Sequence, residues 1–298
     1  MYALLFVAAS FGAVPDDVVE VNIAIELVHD VYSADIKQAK SIPETQALAK
    51  RLLSEARKTT EQVGRHALLI VAHDFAIRSG APETCDGCIE DLAEFGSTLD
   101  LRLRSLSILP ETCRTESQHT ALAKLAQKYA IDGLADDDYR TATTAVEAAL
   151  EAATNAKNLN LVKSSQALAT TIDDYRKQYE TLDIKRWPEL DVKSAAKLGR
   201  FRCLTKGDWG NGIKLMARGD DTYAALAARD ITPTEDPVER MLRGNAWVKE
   251  AEHAEQQYRY QTRVRAAHWY KLALPDLKDR DAVRIAEAIK QLPSPGEQ

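Results

Sequence analysis

The residues best suited to chemistry are two cysteines, Cys85 and Cys88, which form a Cys-Asp-Gly-Cys motif. At a helix N-terminus such a pair could act in redox chemistry, because the helix dipole lowers the pKa of the first thiol. It could also supply half of a zinc site, with Cys113 as a solitary third ligand. No second Cys-x-x-Cys, suitably spaced histidine pair or βαβ pattern accompanies it. The motif therefore favours plain thiols or a local disulfide. Metal binding by Cys85 and Cys88 is the alternative, and no cofactor is predicted.

Histidines and a run of aspartates are the next candidates. His66 and His73 are seven residues apart on one face of a predicted helix, and Asp74 could orient an imidazole. The sequence contains no Gly-x-Ser-x-Gly, P-loop or His-Glu-x-x-His motif, so structural roles are favoured for the histidines and no catalytic residue is predicted.

Residues 136–138 are three aspartates that could bind a metal. Because carboxylates ahead of a helix cap its free N–H groups and complement its dipole, we favour capping.

Aromatic side chains near the C-terminus could line a binding groove on which sugars or peptides stack. The candidate binding residues are Trp247, Tyr258, Tyr260, Trp269 and Tyr270. The alternative is that these rings fill the core between helices, and we favour that alternative for the tryptophans. Tyr258 and Tyr260 stand beside arginines and are predicted to be exposed.

The elements that must position these residues are helices. Alanine, leucine, glutamate, lysine and arginine dominate, while the 298 residues include 13 glycines and 10 prolines. That composition favours helix over sheet. The apolar periodicity indicates about a dozen helices joined by short turns. The predicted fold is all-α, with antiparallel helix pairs that form an α-solenoid or an irregular tetratricopeptide-like array without a regular 34-residue period.

Several helix boundaries can be predicted from local signals. A single helix is expected over residues 16–40, and Pro110 is expected to end another. Gly207 and Asp208 predict a helix stop followed at once by a helix start, and residues 219–220 repeat this Gly-Asp pair. A further helix is expected from Asp236-Pro237 to about residue 257.

These signals divide the chain into three segments. Residues 15–180 are predicted to form an N-terminal helical half and residues 191–292 a C-terminal half, with a break at Trp187-Pro188. Residues 1–14 are apolar and uncharged, and they resemble the apolar region of a signal peptide. They lack the basic residues that normally precede such a region. A signal peptide and a buried N-terminal segment therefore both stay open.

Two longer motifs carry a resemblance to a family. Residues 203–212 read Cys-Leu-x-x-Gly-Asp-Trp-x-x-Gly, and residues 265–274 read Arg-Ala-Ala-His-Trp-Tyr-Lys-x-Ala-Leu. Both resemble the C-terminal half of a family of planctomycete helical-repeat proteins of the tetratricopeptide or Sel1 type. Residues 49–80 resemble its N-terminal half, so the resemblance covers most of residues 15–292. Val248, where a second aromatic is common, and the Cys-x-x-Cys motif depart from the pattern.

The resemblance implies a helical-repeat fold and a secreted or envelope-associated location, but it implies no activity. The net charge of −6 and the lack of a basic stripe with interleaved aromatics argue against nucleic acid as a partner. No apolar run is long enough to span a membrane.

The leading hypothesis for the function is a non-enzymatic scaffold or interaction module of a bacterial envelope or secreted system, which holds a protein or peptide. The alternative is a carbohydrate-binding module or an enzyme with a cleft between the two halves.

Overall fold

The protein is all-α wherever its structure is described, which is residues 15–182 and 190–293 of a computed structural model. This part of the chain holds fifteen α-helices and no strand, and neighbouring helices pack against each other. The all-α prediction is therefore confirmed. The chain divides into two compact units, an N-terminal unit that ends at Asp174 and a C-terminal unit that begins at Tyr175. Residues 1–14 and the predicted break at Trp187-Pro188 lie outside the described residues.

The N-terminal unit is built from consecutive helices with short connections. They are α1 (Pro15–Val31), α2 (Ser33–Gln38), α3 (Ile42–Lys58), α4 (Gln62–Arg78), α5 (Pro82–Leu92), α6 (Leu99–Thr112), α7 (Glu116–Ala135), α8 (Tyr139–Asn155) and α9 (Leu159–Glu180), which continues past the unit boundary. The helix pairs α3–α4 and α7–α8 pack along much of their lengths, and α1 and α5 pack on α4. Alanine and leucine fill this core, and fully buried leucines include Leu52, Leu69 and Leu122. Small and branched side chains of this kind let helix axes approach closely.

The C-terminal unit has shorter helices in its first part and a long pair in its second. They are α10 (Val192–Arg200), a π-helical turn (Phe201–Thr205), α11 (Trp209–Met216), α12 (Thr222–Asp230), α13 (Pro237–His253), α14 (Gln256–Ala273) and α15 (Asp279–Lys290). Gly207 has a φ of +71°, and the side chain of Asp208 accepts a hydrogen bond from the Asn211 amide at 3.2 Å. The predicted stop at Gly207 and start at Asp208 are confirmed.

Two predicted boundaries in the N-terminal unit are wrong. Residues 16–40 form two helices, because Tyr32 leaves helical geometry with φ −93° and ψ 10° and packs its ring against the core. Pro110 lies inside α6, which runs on to Thr112. The Thr112 hydroxyl donates to the carbonyl oxygen of Ile77 in α4 at 2.7 Å, which holds this last turn in place. A tertiary contact here outweighs the local preference of proline.

Two boundaries in the C-terminal unit also differ from the predictions. The second Gly-Asp pair, at residues 219–220, does not cap a helix. The cap of α12 is the next residue, Asp221, whose side chain accepts a hydrogen bond from the Ala224 amide at 2.8 Å. The helix that begins at Pro237 ends at His253, because Ala254 has an extended backbone with ψ 144°. The residues beyond it start the separate helix α14.

Gly199 permits a close approach between α10 and α11. A Cβ atom placed on it would lie 2.6 Å from the Cα atom of Met216 in α11. We expect Gly199→Ala to lower the free energy of unfolding by about 1–3 kcal/mol, because α10 and α11 must separate to admit the methyl group. Glycine-to-alanine changes in an exposed helix normally have the opposite sign. Chemical denaturation followed by tryptophan fluorescence measures the change.

Gly210 provides the matched control on α11. A Cβ atom there meets only the Asp208 carboxylate, at 3.8 Å, and Gly210 is exposed. We expect Gly210→Ala to be neutral or to stabilise the unit by up to about 1 kcal/mol. Equal effects of the two substitutions would contradict the close approach of α10 and α11.

Candidate functional site

The five predicted aromatic residues occupy different environments on the helix pair α13–α14. Trp247 is fully buried, and Trp269 and Tyr270 are 7% and 4% exposed. Tyr258 and Tyr260 are partly buried rather than exposed as predicted, and Tyr258 packs against the core of the C-terminal unit. The rings of Trp247 and Trp269 belong to one core cluster with Trp209, and the rings of Trp209 and Trp247 meet edge to face at 5.4 Å. Trp247 and Trp269 therefore present no exposed face on which a sugar could stack.

A buried carboxylate, Asp230 at the end of α12, organises this aromatic core. The indole N–H of Trp247 lies 3.1 Å from both carboxylate oxygens, and the guanidinium of Arg265 donates to one of them at 2.7 Å. The Asp230 side chain is 1% exposed and that of Arg265 14%. Because a buried charge is tolerated only when it is paired and hydrogen-bonded, these contacts make Asp230 a structural anchor. No local sequence pattern singles out this residue.

Two arginines stack on the tryptophans around this anchor. The guanidinium carbon of Arg265 lies 5.0 Å from the ring centre of Trp209 and 5.6 Å from that of Trp269. Arg243 covers Trp269 at 4.7 Å and also donates to the carbonyl oxygen of Thr232 at 2.7 Å. Such cation–π contacts strengthen when they are desolvated. The Gly-Asp-Trp and Arg-Ala-Ala-His-Trp-Tyr motifs thus meet in space, and their shared role is to hold α11, α12 and α14 together.

An open groove lies on another side of the C-terminal unit, between α13, α14 and the end of α15. Its volume is about 610 Å³, and its lining residues are Val248, Ala251, Glu252, Arg259, Arg263, Tyr270, Ala288, Gln291 and Leu292. Of the five predicted aromatic residues, Tyr270 lines this groove. Its hydroxyl donates to the side-chain oxygen of Asn245 at 2.8 Å, and burial raises its pKa. Tyr270 therefore acts as a fixed, neutral wall.

The rim of the groove carries more positive than negative charge. Arg259 and Arg263 are exposed and stand one helical turn apart on α14, while Glu252 is the single carboxylate among the lining residues. One Nη of Arg259 donates to the carbonyl oxygen of Ala254 at 3.2 Å, which orients its side chain. Side chains four residues apart on a helix lie close enough to contact one ligand together. The groove can therefore receive an apolar group on its floor and a carboxylate on its rim.

The Cys-x-x-Cys motif lies inside the core of the N-terminal unit. Cys85 and Cys88 are fully buried, and both are free thiols. The Cys85 sulfur lies 3.1 Å from the hydroxyl of Ser105, which itself donates to the carbonyl oxygen of Leu101 at 2.7 Å. Burial raises the pKa of Cys85 to about 12 and raises that of Cys88 as well. Both thiols therefore stay protonated near neutral pH, whereas nucleophilic or redox chemistry requires a thiolate.

His73 belongs to the same buried cluster. Its Nε2 lies 2.9 Å from the Ser105 hydroxyl, and burial, followed by the positive charge of Arg104, lowers its pKa to about 4. Because Ser105 gives its one hydrogen to a carbonyl, it accepts from the imidazole N–H. Asp74 does not orient this ring; its carboxylate pairs with Arg78 and Arg104 at 2.6 and 2.7 Å. His66 instead stacks on Phe95 with ring centres 4.4 Å apart.

The aspartates at residues 136–138 end one helix and start the next. Asp138 caps α8 by accepting from the amide and the hydroxyl of Thr141. Within residues 15–182 and 190–293, no three histidine, cysteine, aspartate or glutamate side chains lie close enough together to hold a metal ion. In the same ranges no helix combines the length and the hydropathy needed to cross a bilayer.

In the part of the chain that the structure describes, the protein is all-α and carries an open, partly cationic groove in its C-terminal unit. No family model, curated protein or solved structure matches the chain. Its function must therefore be inferred from its own geometry.

Proposed function

We propose that this protein is a non-enzymatic interaction module that holds a peptide segment of a partner protein in the groove of the C-terminal unit. The observation that carries the proposal is the combination of an apolar floor with two arginines on one rim. Apolar pockets with a few well-placed polar groups are the usual form of a binding site. An open groove suits a chain segment that enters and leaves at its two ends.

The lining indicates the chemistry of that segment. An apolar side chain would pack on Val248, Ala251 and Leu292, and an acidic side chain would reach Arg259 or Arg263. Guanidinium groups bind carboxylates through paired hydrogen bonds, which makes arginine more selective for them than lysine. The ligand is therefore a short peptide with an acidic residue next to an apolar one.

A helical-repeat relationship and an extracytoplasmic location are parts of this proposal. They are supported by the small-and-large pattern of α14, which resembles the second helix of a tetratricopeptide or Sel1 repeat, and by the apolar residues 1–14. A carbohydrate ligand is less well supported, because Trp247 and Trp269 are buried. The interaction module therefore takes precedence over the carbohydrate-binding and enzymatic alternatives.

A displayed random-peptide library, selected on the full-length protein, tests the groove. We expect enriched peptides to pair acidic with apolar residues, and to bind an Arg259→Gln/Arg263→Gln variant at least about 10-fold more weakly by fluorescence anisotropy. The reason is that a hydrogen bond to a charged group contributes about 1.5–3 kcal/mol. An Arg140→Gln/Arg280→Gln variant is the control, because it removes the same charge from exposed positions outside the groove lining.

Two results would contradict the proposal. One is a selection that enriches no acidic-apolar peptides. The other is equal binding of the selected peptides by the groove variant and the wild-type protein.

A further inference from the structure

The first helix, α1, carries a row of exposed apolar side chains. Val19, Ile23, Leu27 and Val31 are 58–68% exposed. They follow each other at intervals of four residues, so they form one stripe along the helix. Single exposed apolar residues are ordinary on protein surfaces, whereas an aligned set marks an interaction surface. We call these four residues the α1 stripe.

The α1 stripe is not the face by which α1 is attached to its unit. Val28 is buried in the core of the N-terminal unit, and Ala24 and Ile25 pack against the same core. These residues bind α1 to α4 from the other side of the helix. Helix α1 is therefore apolar on two faces, although a helix on a protein surface needs only one to stay attached.

The charge around the α1 stripe indicates which kind of surface would be complementary to it. Glu20, Glu26 and Asp30 are exposed on α1, and residues 19–31 contain no other carboxylate and neither lysine nor arginine. A second copy of α1 would bring like charges together across the stripe, which destabilises a pair. An anionic lipid surface would be repelled in the same way. A surface of this kind is complementary to a helix with basic flanks.

We propose that the α1 stripe docks an amphipathic helix of a protein partner, whose apolar face is flanked by lysine or arginine. Helices recognised in this way present apolar anchors at intervals of three and four residues. The helix rises over twelve residue steps from Val19 to Val31, which corresponds to about 18 Å. A partner helix of about four turns covers it. This surface lies in the N-terminal unit and is independent of the groove in the C-terminal unit.

Two synthetic peptides test the proposal on the full-length protein. Both carry the same leucine stripe at helical spacing, and one has lysine flanks while the other has glutamate flanks. We expect the lysine peptide to bind at least 10-fold more tightly in a fluorescence anisotropy titration, and its affinity to fall as salt is raised. Charge complementarity accounts for both effects.

Protein variants then locate the contact. Ile23→Gln/Leu27→Gln should weaken binding of the lysine peptide at least 10-fold, while thermal unfolding shows that the variant stays folded. The control is Leu159→Gln/Val283→Gln, which removes from α9 and α15 two apolar side chains that are somewhat more exposed. This control should bind the peptide as the wild-type protein does.

Several outcomes would overturn the proposal. They are failure of the wild-type protein to bind the lysine peptide, equal binding of the two peptides, and unchanged binding by the stripe variant. A dimer in analytical ultracentrifugation that Ile23→Gln/Leu27→Gln dissociates would assign the stripe to a second copy instead. Binding that occurs only after removal of residues 2–14 would assign it to that segment.

Discussion

Replacing Asp230 with alanine should lower the free energy of unfolding of the C-terminal unit by about 3–5 kcal/mol. The substitution leaves the largely buried guanidinium of Arg265 without its carboxylate and the buried indole N–H of Trp247 without its acceptor. Each loss has a separate cost, because a buried charge and a buried donor must both find a partner. Urea denaturation followed by tryptophan fluorescence measures the effect, since Trp247 lies at the carboxylate.

Two further variants separate this buried network from ordinary ion pairs. Asp281→Ala removes a carboxylate whose pair with Arg284 is half-exposed, at 50% and 58%, and should cost less than about 1 kcal/mol. A double variant, Asp230→Leu/Arg265→Met, should be more stable than Asp230→Ala, because removing both buried charges leaves neither unpaired. If Asp230→Ala and Asp281→Ala had similar effects, Asp230 would not be the anchor described above.

The same network shows which features of the fold could be predicted from the sequence. Gly207 and Asp208 were predictable because each acts on the backbone within three residues of itself. Asp230 was not, because its partners Trp247 and Arg265 lie 17 and 35 residues away. The helix end predicted at Pro110 is wrong for a related reason, since the contact that holds the last turn of α6 comes from α4. Local signals thus predict helix ends, but the pairing of distant side chains decides the exceptions.

The candidate site was predictable only in part for the same physical reason. Residue type alone identified the aromatic side chains of α13 and α14, but type does not say which face of a helix turns inward. Trp247 and Trp269 turned inward to Asp230 and the arginines, whereas Arg259 and Arg263 turned towards the groove. In the sequence, the two arginines are distinguished only as neighbours of Tyr258 and Tyr260. The groove itself depends on how α15 packs beside α14, which no local pattern encodes.

The stability of the N-terminal unit should fall by about 3 kcal/mol as the pH is lowered from 6.5 towards 4, through His73 alone. Burial, followed by the positive charge of Arg104, lowers the pKa of His73 from its ordinary 6.5 to about 4. Between these values the unfolded chain binds a proton that the folded chain does not, so the free energy of unfolding rises with pH. The full contribution is present above pH 6.5, and it is lost as the pH falls through the window.

Urea denaturation at several pH values between 4 and 7.5 tests this sign and size, and His73→Gln isolates the residue. Glutamine does not titrate, yet its amide can still donate to the Ser105 hydroxyl. The variant should therefore lose most of the slope between pH 4 and 6.5 even where its stability at pH 7 is lower. His66→Gln serves as the control, because burial also lowers the pKa of His66, but less far. If His73→Gln kept the wild-type slope, the acid sensitivity would come from other groups, and the buried chain from His73 through Ser105 to Cys85 would have no part in it.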